Sequence, residues 1–182
     1  MRISDNQKNQ VVIGFTEEML IKVRFETSKV MTYNPIYKSI LGDRFHNYFV
    51  GYCGEIALAE YLDVPWESEY IQNKKRVGDV MGYQVKSTER ADGNLLTNPN
   101  KTTFAGPMPA GIYVLIIVDL WGGQLGTATI IGWEDSVNLW TPDLWDLSKP
   151  SPCYVQNQEH LNPMKHLPDT VQMRSFKASW AS

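Results

Sequence analysis

The sequence predicts an α/β domain, because two helical segments come first and three strand-like segments follow them within one chain of 182 residues. Compact domains commonly contain about 100–200 residues. The hydrophobic share of 43% and the lack of repeats or low-complexity segments are typical of a folded globular protein. We therefore expect a single domain over residues 1–182, with its core at about 45–135 and an irregular C-terminal wrap over 136–182.

The first predicted helix covers residues 16–31. Thr16 is a suitable N-cap, and Glu17 and Glu18 follow in the first turn, where carboxylates interact favourably with the helix dipole. Apolar residues recur along the rest of the segment. These signals together indicate a helix start at Thr16.

The second predicted helix covers residues 46–62, HNYFVGYCGEIALAEYL, and ends before the breaker DVPW. This helix is apolar on nearly all sides, which predicts burial against a sheet on one side and against other elements on the other. Two glutamates, Glu55 and Glu60, are exceptions to that apolar surface. Either of them could carry chemistry.

The predicted strands follow the second helix. GDVMGYQVKST, residues 78–88, has the pattern of a β-hairpin with Gly82 in the bend. GIYVLIIVDLW, residues 111–121, is an almost continuous apolar and β-branched run, which is typical of a central strand covered on both faces. TATIIGW, residues 127–133, follows a glycine-rich turn and should be its hairpin partner.

Several classes of protein are disfavoured by composition. No apolar run approaches the ~18 residues of a membrane span, and the first ten residues lack the apolar centre of a secretion signal. Two cysteines and three scattered histidines give no zinc-ligand spacing. The net charge of −3 gives no overall attraction to polyanions. We expect a cytoplasmic protein without membrane contact, in which nucleic acid would bind only a local basic surface.

Three polar residues of the predicted hairpin should converge. Residues two apart in a strand share a face, so Gln84 and Lys86 point the same way, and the tight bend brings Asp79 beside them. Phosphodiester hydrolysis uses hard oxygen ligands for Mg²⁺ and a cation that stabilises charge on the phosphate. Asp79 would supply a carboxylate, Gln84 an amide oxygen and Lys86 the cation.

An acid in the helix GEIALAEYL, then an aspartate, a short hairpin and a strand with Gln-x-Lys together resemble the PD-(D/E)XK nuclease superfamily over residues 51–133. The resemblance implies a restriction-endonuclease-like core, in which a central mixed four-stranded sheet is flanked by helices on both faces. It also implies a site for Mg²⁺, with Mn²⁺ able to substitute. Asp79 would be the central metal ligand, Gln84 the second ligand and Lys86 the catalytic lysine. Glu55 would be the helix acid that reaches the metal directly or through water.

The chain departs from the family pattern at two positions. Gly78 replaces the signature proline, and Gln84 replaces the usual glutamate, as in some Mrr-like restriction enzymes. The glutamine lowers the negative charge around a metal by one, which should weaken Mg²⁺ binding. The resemblance favours Glu55 over Glu60 as the helix acid, whereas the helix periodicity leaves both open.

Each candidate residue also has a purely structural interpretation. Asp79 could simply be a residue that flanks a turn. Gln84 and Lys86 could form the solvent-exposed face of an edge strand. The remaining candidates for DNA binding could instead end a strand or lie in a solvated loop. These candidates are Ser87, Thr88, Lys74, Lys75 and Arg76.

The function that this resemblance implies is Mg²⁺-dependent hydrolysis of DNA, by an endonuclease of phage or restriction type. A repair or recombination nuclease, such as a junction resolvase or a RecB-like exonuclease, is the alternative among enzymes. A non-catalytic nucleic-acid-binding protein that keeps the fold is the alternative from another class. DNA is the expected partner, a homodimer is left open, and a phage-encoded protein would act in the host cytoplasm.

Overall fold

A computed structural model describes the chain over residues 10–33, 43–67, 79–99, 102–103, 106–107, 110–121, 124–149 and 151–180. The helices are α1 (Glu17–Tyr33), α2 (Arg44–Tyr61), α3 (Ser136–Leu139) and α4 (Val171–Trp180). The strands are β1 (Val11–Gly14), β2 (Gln84–Thr88), β3 (Leu95–Thr97), β4 (Thr102–Thr103), β5 (Gly106–Pro107), β6 (Ile112–Asp119), β7 (Thr127–Asp135), β8 (Trp145–Asp146) and β9 (Cys153–Gln156). No described helix is long and apolar enough to span a bilayer.

Both predicted long helices are confirmed. The Thr16 hydroxyl accepts a hydrogen bond from the Met19 backbone N–H at 3.2 Å, so it caps α1 as expected. Asp43 caps α2 in the same way, through the backbone N–H groups of Phe45 and His46. Most of α2 is buried, because it packs against α1 on one side and against the sheet on the other. The nearly continuous apolar surface of its sequence predicts this burial.

The main sheet has four strands in the order β1-β7-β6-β2, and it is mixed. β6 and β7 form the predicted antiparallel hairpin, β1 pairs with β7 in the antiparallel sense, and β2 lies parallel to β6. A mixed four-stranded α/β arrangement is therefore confirmed. The N-terminal strand β1 was not predicted, because only four residues form it and its apolar pattern is too short to recognise.

The two faces of the sheet are covered differently. One face carries Val85, Val114 and Ile116, which pack in a large core with α1 and α2. The opposite face carries Tyr113 and Leu115, which pack in a smaller core with residues of β3, α3 and the C-terminal segment. The expectation of helices on both faces is thus met only in part, since both long helices lie on one face.

The C-terminal third is more regular than predicted. β8 and β9 join β3 in a three-stranded sheet, and α4 ends the described chain. Residues 136–182 were expected to be an irregular wrap, and the described parts of this segment, 136–149 and 151–180, contain these short elements between irregular stretches. These short elements could not be predicted from the polar and proline-rich sequence, because they depend on tertiary packing more than on local pattern.

Candidate active site

The candidate site is built on the turn that leads into β2. Val80 and Tyr83 form a bridge, with N···O distances of 3.1 and 2.9 Å in the two directions. Between them Met81 and Gly82 have positive φ angles of 46° and 87°. Two consecutive left-handed residues are the signature of a type I′ hairpin turn, for which glycine is well suited. The predicted bend at Gly82 is confirmed.

Asp79 closes this turn with both its backbone and its side chain. Its backbone N–H donates to the Tyr83 carbonyl at 2.7 Å, and its Oδ2 accepts from the Val85 N–H at 2.7 Å. One carboxylate oxygen is therefore fixed at the start of β2. The interpretation of Asp79 as a turn residue is correct, and it is compatible with a further role for the same carboxylate.

The electrostatic surroundings of Asp79 include Lys86. Burial raises the pKa of Asp79 above its ordinary value, while the positive charge of Lys86 and the hydrogen bond from Val85 oppose that rise. The charge of Lys86 thus acts on the Asp79 carboxylate, which is consistent with a shared site, and the role of these two residues stays a prediction.

Gln84 and Lys86 share the sheet face that lies away from the long helices. The alternation of the strand places them opposite Val85, which packs in the large helical core. The Gln84 side chain is only 6% exposed. The buried side-chain nitrogen and oxygen atoms without a hydrogen-bond partner in the described residues belong to Arg44, so the Gln84 amide is not an orphaned buried group.

Tyr113 completes the cluster, and the sequence reasoning did not find it. In the parallel ladder Tyr113 is the register partner of Gln84, and its ring lies under the Lys86 ammonium, with 5.8 Å from Nζ to the ring centroid. Burial and the negative charge of Asp79 raise the pKa of Tyr113, so its hydroxyl stays protonated. The available signal was a single aromatic residue at the start of an otherwise aliphatic strand.

Glu134 lies on the same row of the sheet, because it is the register partner of Tyr113 on β7. Its carboxylate is held by three donors, the Asp135 backbone N–H at 2.9 Å and the side-chain amides of Asn138 at 2.8 Å and Asn162 at 3.0 Å. A carboxylate with this many hydrogen bonds is fixed as a structural link between β7, α3 and the C-terminal segment. We assign it no chemistry.

Glu55 lies on α2, which packs against the other sheet face. The neighbouring Gly54 lies so close to Ser87 that a Cβ there would overlap the serine hydroxyl. Among the contacts of Glu55 is a hydrogen bond from the indole N–H of Trp66 at 3.1 Å, and Trp66 is almost fully buried. One contact of Glu55 is therefore with Trp66, a residue that follows α2. Glu60 is exposed.

The candidate DNA-binding residues have mixed outcomes. Ser87 faces α2 and makes a long contact of 3.5 Å with the Gly51 carbonyl. The Thr88 hydroxyl accepts a hydrogen bond from the Arg90 backbone N–H at 3.2 Å, which fits a strand end. The predicted basic cluster lies outside the described residues, so its geometry stays a prediction. That cluster consists of Lys74, Lys75 and Arg76.

The donor set fits a magnesium ion in part. Asp79 and Gln84 offer one carboxylate and one amide oxygen, and Mg²⁺ in proteins is commonly held by one or two carboxylates plus water. Within the described ranges there is no group of three or more His, Cys, Asp or Glu side chains that could hold a metal. A site of this kind would bind Mg²⁺ more weakly than one with two or three carboxylates.

No protein-family model, curated protein or solved structure matches the chain.

Proposed function

We propose that the protein is a Mg²⁺-dependent nuclease that hydrolyses DNA phosphodiester bonds, as an endonuclease of phage or restriction type. The observation that carries this proposal is the common sheet face of Gln84 and Lys86 on β2, the strand whose Val85 N–H is bound by the Asp79 carboxylate at 2.7 Å. The positive charge of Lys86 also acts on that carboxylate. A carboxylate, an oxygen ligand and a cation are the components that phosphodiester hydrolysis needs.

Asp79, Gln84 and Lys86 have different roles in the proposed reaction. Asp79 and Gln84 would hold the metal, with Mn²⁺ able to replace Mg²⁺. When bound, the ion would polarise the phosphate and lower the pKa of a coordinated water. Lys86 places its positive charge toward the reacting phosphate, where negative charge increases in the transition state. Lys86 is partly buried, so its charge is screened less by water than that of a surface lysine.

The positive charge of Lys86 supports this division. Burial raises the pKa of Asp79, whereas Lys86 lowers it, so the lysine favours the ionised carboxylate over the protonated form. The ionised carboxylate is the form that binds a divalent cation, which also suits the amide oxygen of Gln84.

A second candidate function is nucleic-acid binding without chemistry. One observation favours it: Asp79 Oδ2 already accepts the Val85 N–H, so one of the carboxylate oxygens has a structural role. A protein of this kind would keep the fold and contact DNA, and Gln84 would be a structural residue.

The Gln84→Glu variant separates these candidates. If the amide oxygen of Gln84 is a metal ligand, the added carboxylate repels Asp79 without metal, and Mg²⁺ restores stability by binding more tightly than to the parent. If Gln84 is structural, the variant loses amide donors at a cost of about 1–3 kcal/mol, with no recovery on adding metal. Thermal unfolding with and without Mg²⁺ measures the difference.

Gln158→Glu is the matched control for this experiment. Its amide donates to the Ala91 carbonyl at 3.1 Å, away from the candidate site. The same change of charge and loss of donor there should lower stability equally with and without Mg²⁺. Metal-dependent recovery in Gln84→Glu alone supports the nuclease site. Thermal unfolding of both variants that does not respond to Mg²⁺ would support nucleic-acid binding without chemistry.

A further inference from the structure

We propose that Tyr113 is a positioning residue, whose aromatic ring holds the Lys86 ammonium in place beside Asp79. This inference rests on the proposed function, since it assigns Tyr113 to the same site and acts through the lysine. It adds a residue from the neighbouring strand to a site that the sequence pattern confines to the turn and β2.

The register of the two strands creates the contact. β2 and β6 run parallel with Gln84 opposite Tyr113, so the tyrosine ring lies on the same face as Gln84 and Lys86. The distance from Nζ to the ring centroid is 5.8 Å, within the roughly 6 Å range of cation–π attraction. The lysine stem has four flexible bonds, and the contact with this ring restricts the positions that the ammonium can take.

The ring is packed on the side away from the lysine. Tyr113 is completely buried and packs edge-to-face against Trp140, with 6.4 Å between the ring centroids. Trp140 is fixed in turn, because its indole N–H donates to the Thr97 hydroxyl at 3.2 Å. Neighbouring leucines of β3, β6 and α3 fill the rest of this core. A fixed aromatic surface therefore supports a flexible catalytic side chain.

Two substitutions at Tyr113 distinguish the ring from its hydroxyl. Tyr113→Phe keeps the ring and should retain cleavage close to the parent. Tyr113→Leu removes the ring and should lower the rate of DNA cleavage by about tenfold, since loss of one cation–π contact at a partly desolvated site is worth about that factor in rate. Thermal unfolding of both variants verifies that they fold.

The position of Lys86 has a direct spectroscopic readout. A proton above an aromatic ring shifts upfield, so the Lys86 side-chain methylene signals should lie upfield of ordinary lysine signals in the parent and in Tyr113→Phe. They should return to ordinary positions in Tyr113→Leu. Lys29, which lies over the Phe25 ring on α1 at 4.2 Å, is an internal reference that no Tyr113 variant should move.

The outcomes separate this inference from the proposed function. Ordinary Lys86 signals in the folded parent would overturn the inference, even if Tyr113→Leu did not fold. A parent that cuts DNA and a Tyr113→Leu variant that cuts it equally fast would also overturn it, while the nuclease function would stand. Upfield signals that Tyr113→Leu abolishes, in a parent that cuts no DNA, would confirm the placement of Lys86 and refute the nuclease function.

Discussion

Asp79 closes the turn before β2 and is also the proposed metal ligand, and two substitutions should separate these roles. Asp79→Asn keeps an oxygen that can accept the Val85 N–H, now 2.7 Å from Oδ2, but it loses the charge. Asp79→Ala loses both the acceptor oxygen and the charge. Both variants should lose DNA cleavage, because neither supplies the carboxylate ligand.

The free energies of unfolding of the two variants should differ by the cost of leaving the Val85 N–H without an acceptor. An unsatisfied buried N–H costs about 1–3 kcal/mol, so Asp79→Ala should be less stable than Asp79→Asn by that amount. For a chain of 150–250 residues, each kcal/mol corresponds to about 2–4 °C in the midpoint of thermal unfolding. Neither variant carries the buried charge, so the comparison isolates the hydrogen bond.

The dependence on pH gives the sign of the charge effect. The folded-state pKa of Asp79 lies above its ordinary value of 3.8, mainly through burial. The stability that this group contributes is therefore fully present below about pH 3.8 and lost as the pH rises through the folded pKa. Asp79→Asn lacks this loss, so its stability relative to the parent should improve as the pH increases from 4 toward 7.

The assay is urea unfolding of the parent, Asp79→Asn and Asp79→Ala at several pH values in the absence of divalent metal. Equal stability of the Asn and Ala variants would refute the hydrogen-bond reasoning, and a constant difference between Asn and parent across pH would refute the charge reasoning.

Three further predictions test the packing around the site. Gly54→Ala should destabilise the protein by about 1–3 kcal/mol, because the added Cβ would lie 3.1 Å from Ser87 Cβ and overlap its hydroxyl, and Ser87→Ala should recover part of the loss in urea unfolding. Tyr83→Phe removes the hydrogen bond from the phenol to the Pro168 carbonyl at 2.9 Å and should cost about 0.5–1.5 kcal/mol, whereas an unchanged unfolding midpoint would show that this link to the C-terminal segment contributes nothing. Burial and the nearby Glu89 raise the pKa of Cys53 from 9.0 to about 12, so folding stability from this thiol should be lost as the pH rises from about 9 through 12, and Cys53→Ala should flatten that alkaline decline.

The sequence predicts the parts of the fold that have a strong local pattern. The acidic first turn of α1, the apolar surface of α2 and the aliphatic run of β6 each determine one element, and the structure confirms all three. The turn at Gly82 was also predictable, since few residues other than glycine adopt its positive φ. Local physical chemistry was sufficient at these positions.

The missed elements depend on distant parts of the chain. β1 is stabilised by pairing with β7, more than a hundred residues later, and α4 is capped by Thr170, whose hydroxyl also bonds the Met81 carbonyl of the turn. Tyr113 joins the candidate site only through the register of β2 with β6. Alternation within one strand cannot give the register between two strands. The contacts of the predicted helix acid also could not be read from the sequence. The family resemblance favours Glu55, and the structure shows its contact with Trp66.

The nuclease activity is tested most directly by cleavage of supercoiled plasmid DNA with the purified parent, Lys86→Ala and Lys29→Ala. The control removes a lysine that also lies over an aromatic ring, but on α1 and away from the candidate site. We predict that the parent and Lys29→Ala cut the plasmid with Mg²⁺ or Mn²⁺, and not with EDTA, while Lys86→Ala folds normally and does not cut. Cleavage by Lys86→Ala at the rate of the parent, or no cleavage of the plasmid by the parent with either metal, would contradict the assignment of Asp79, Gln84 and Lys86 as a DNA-cleaving site.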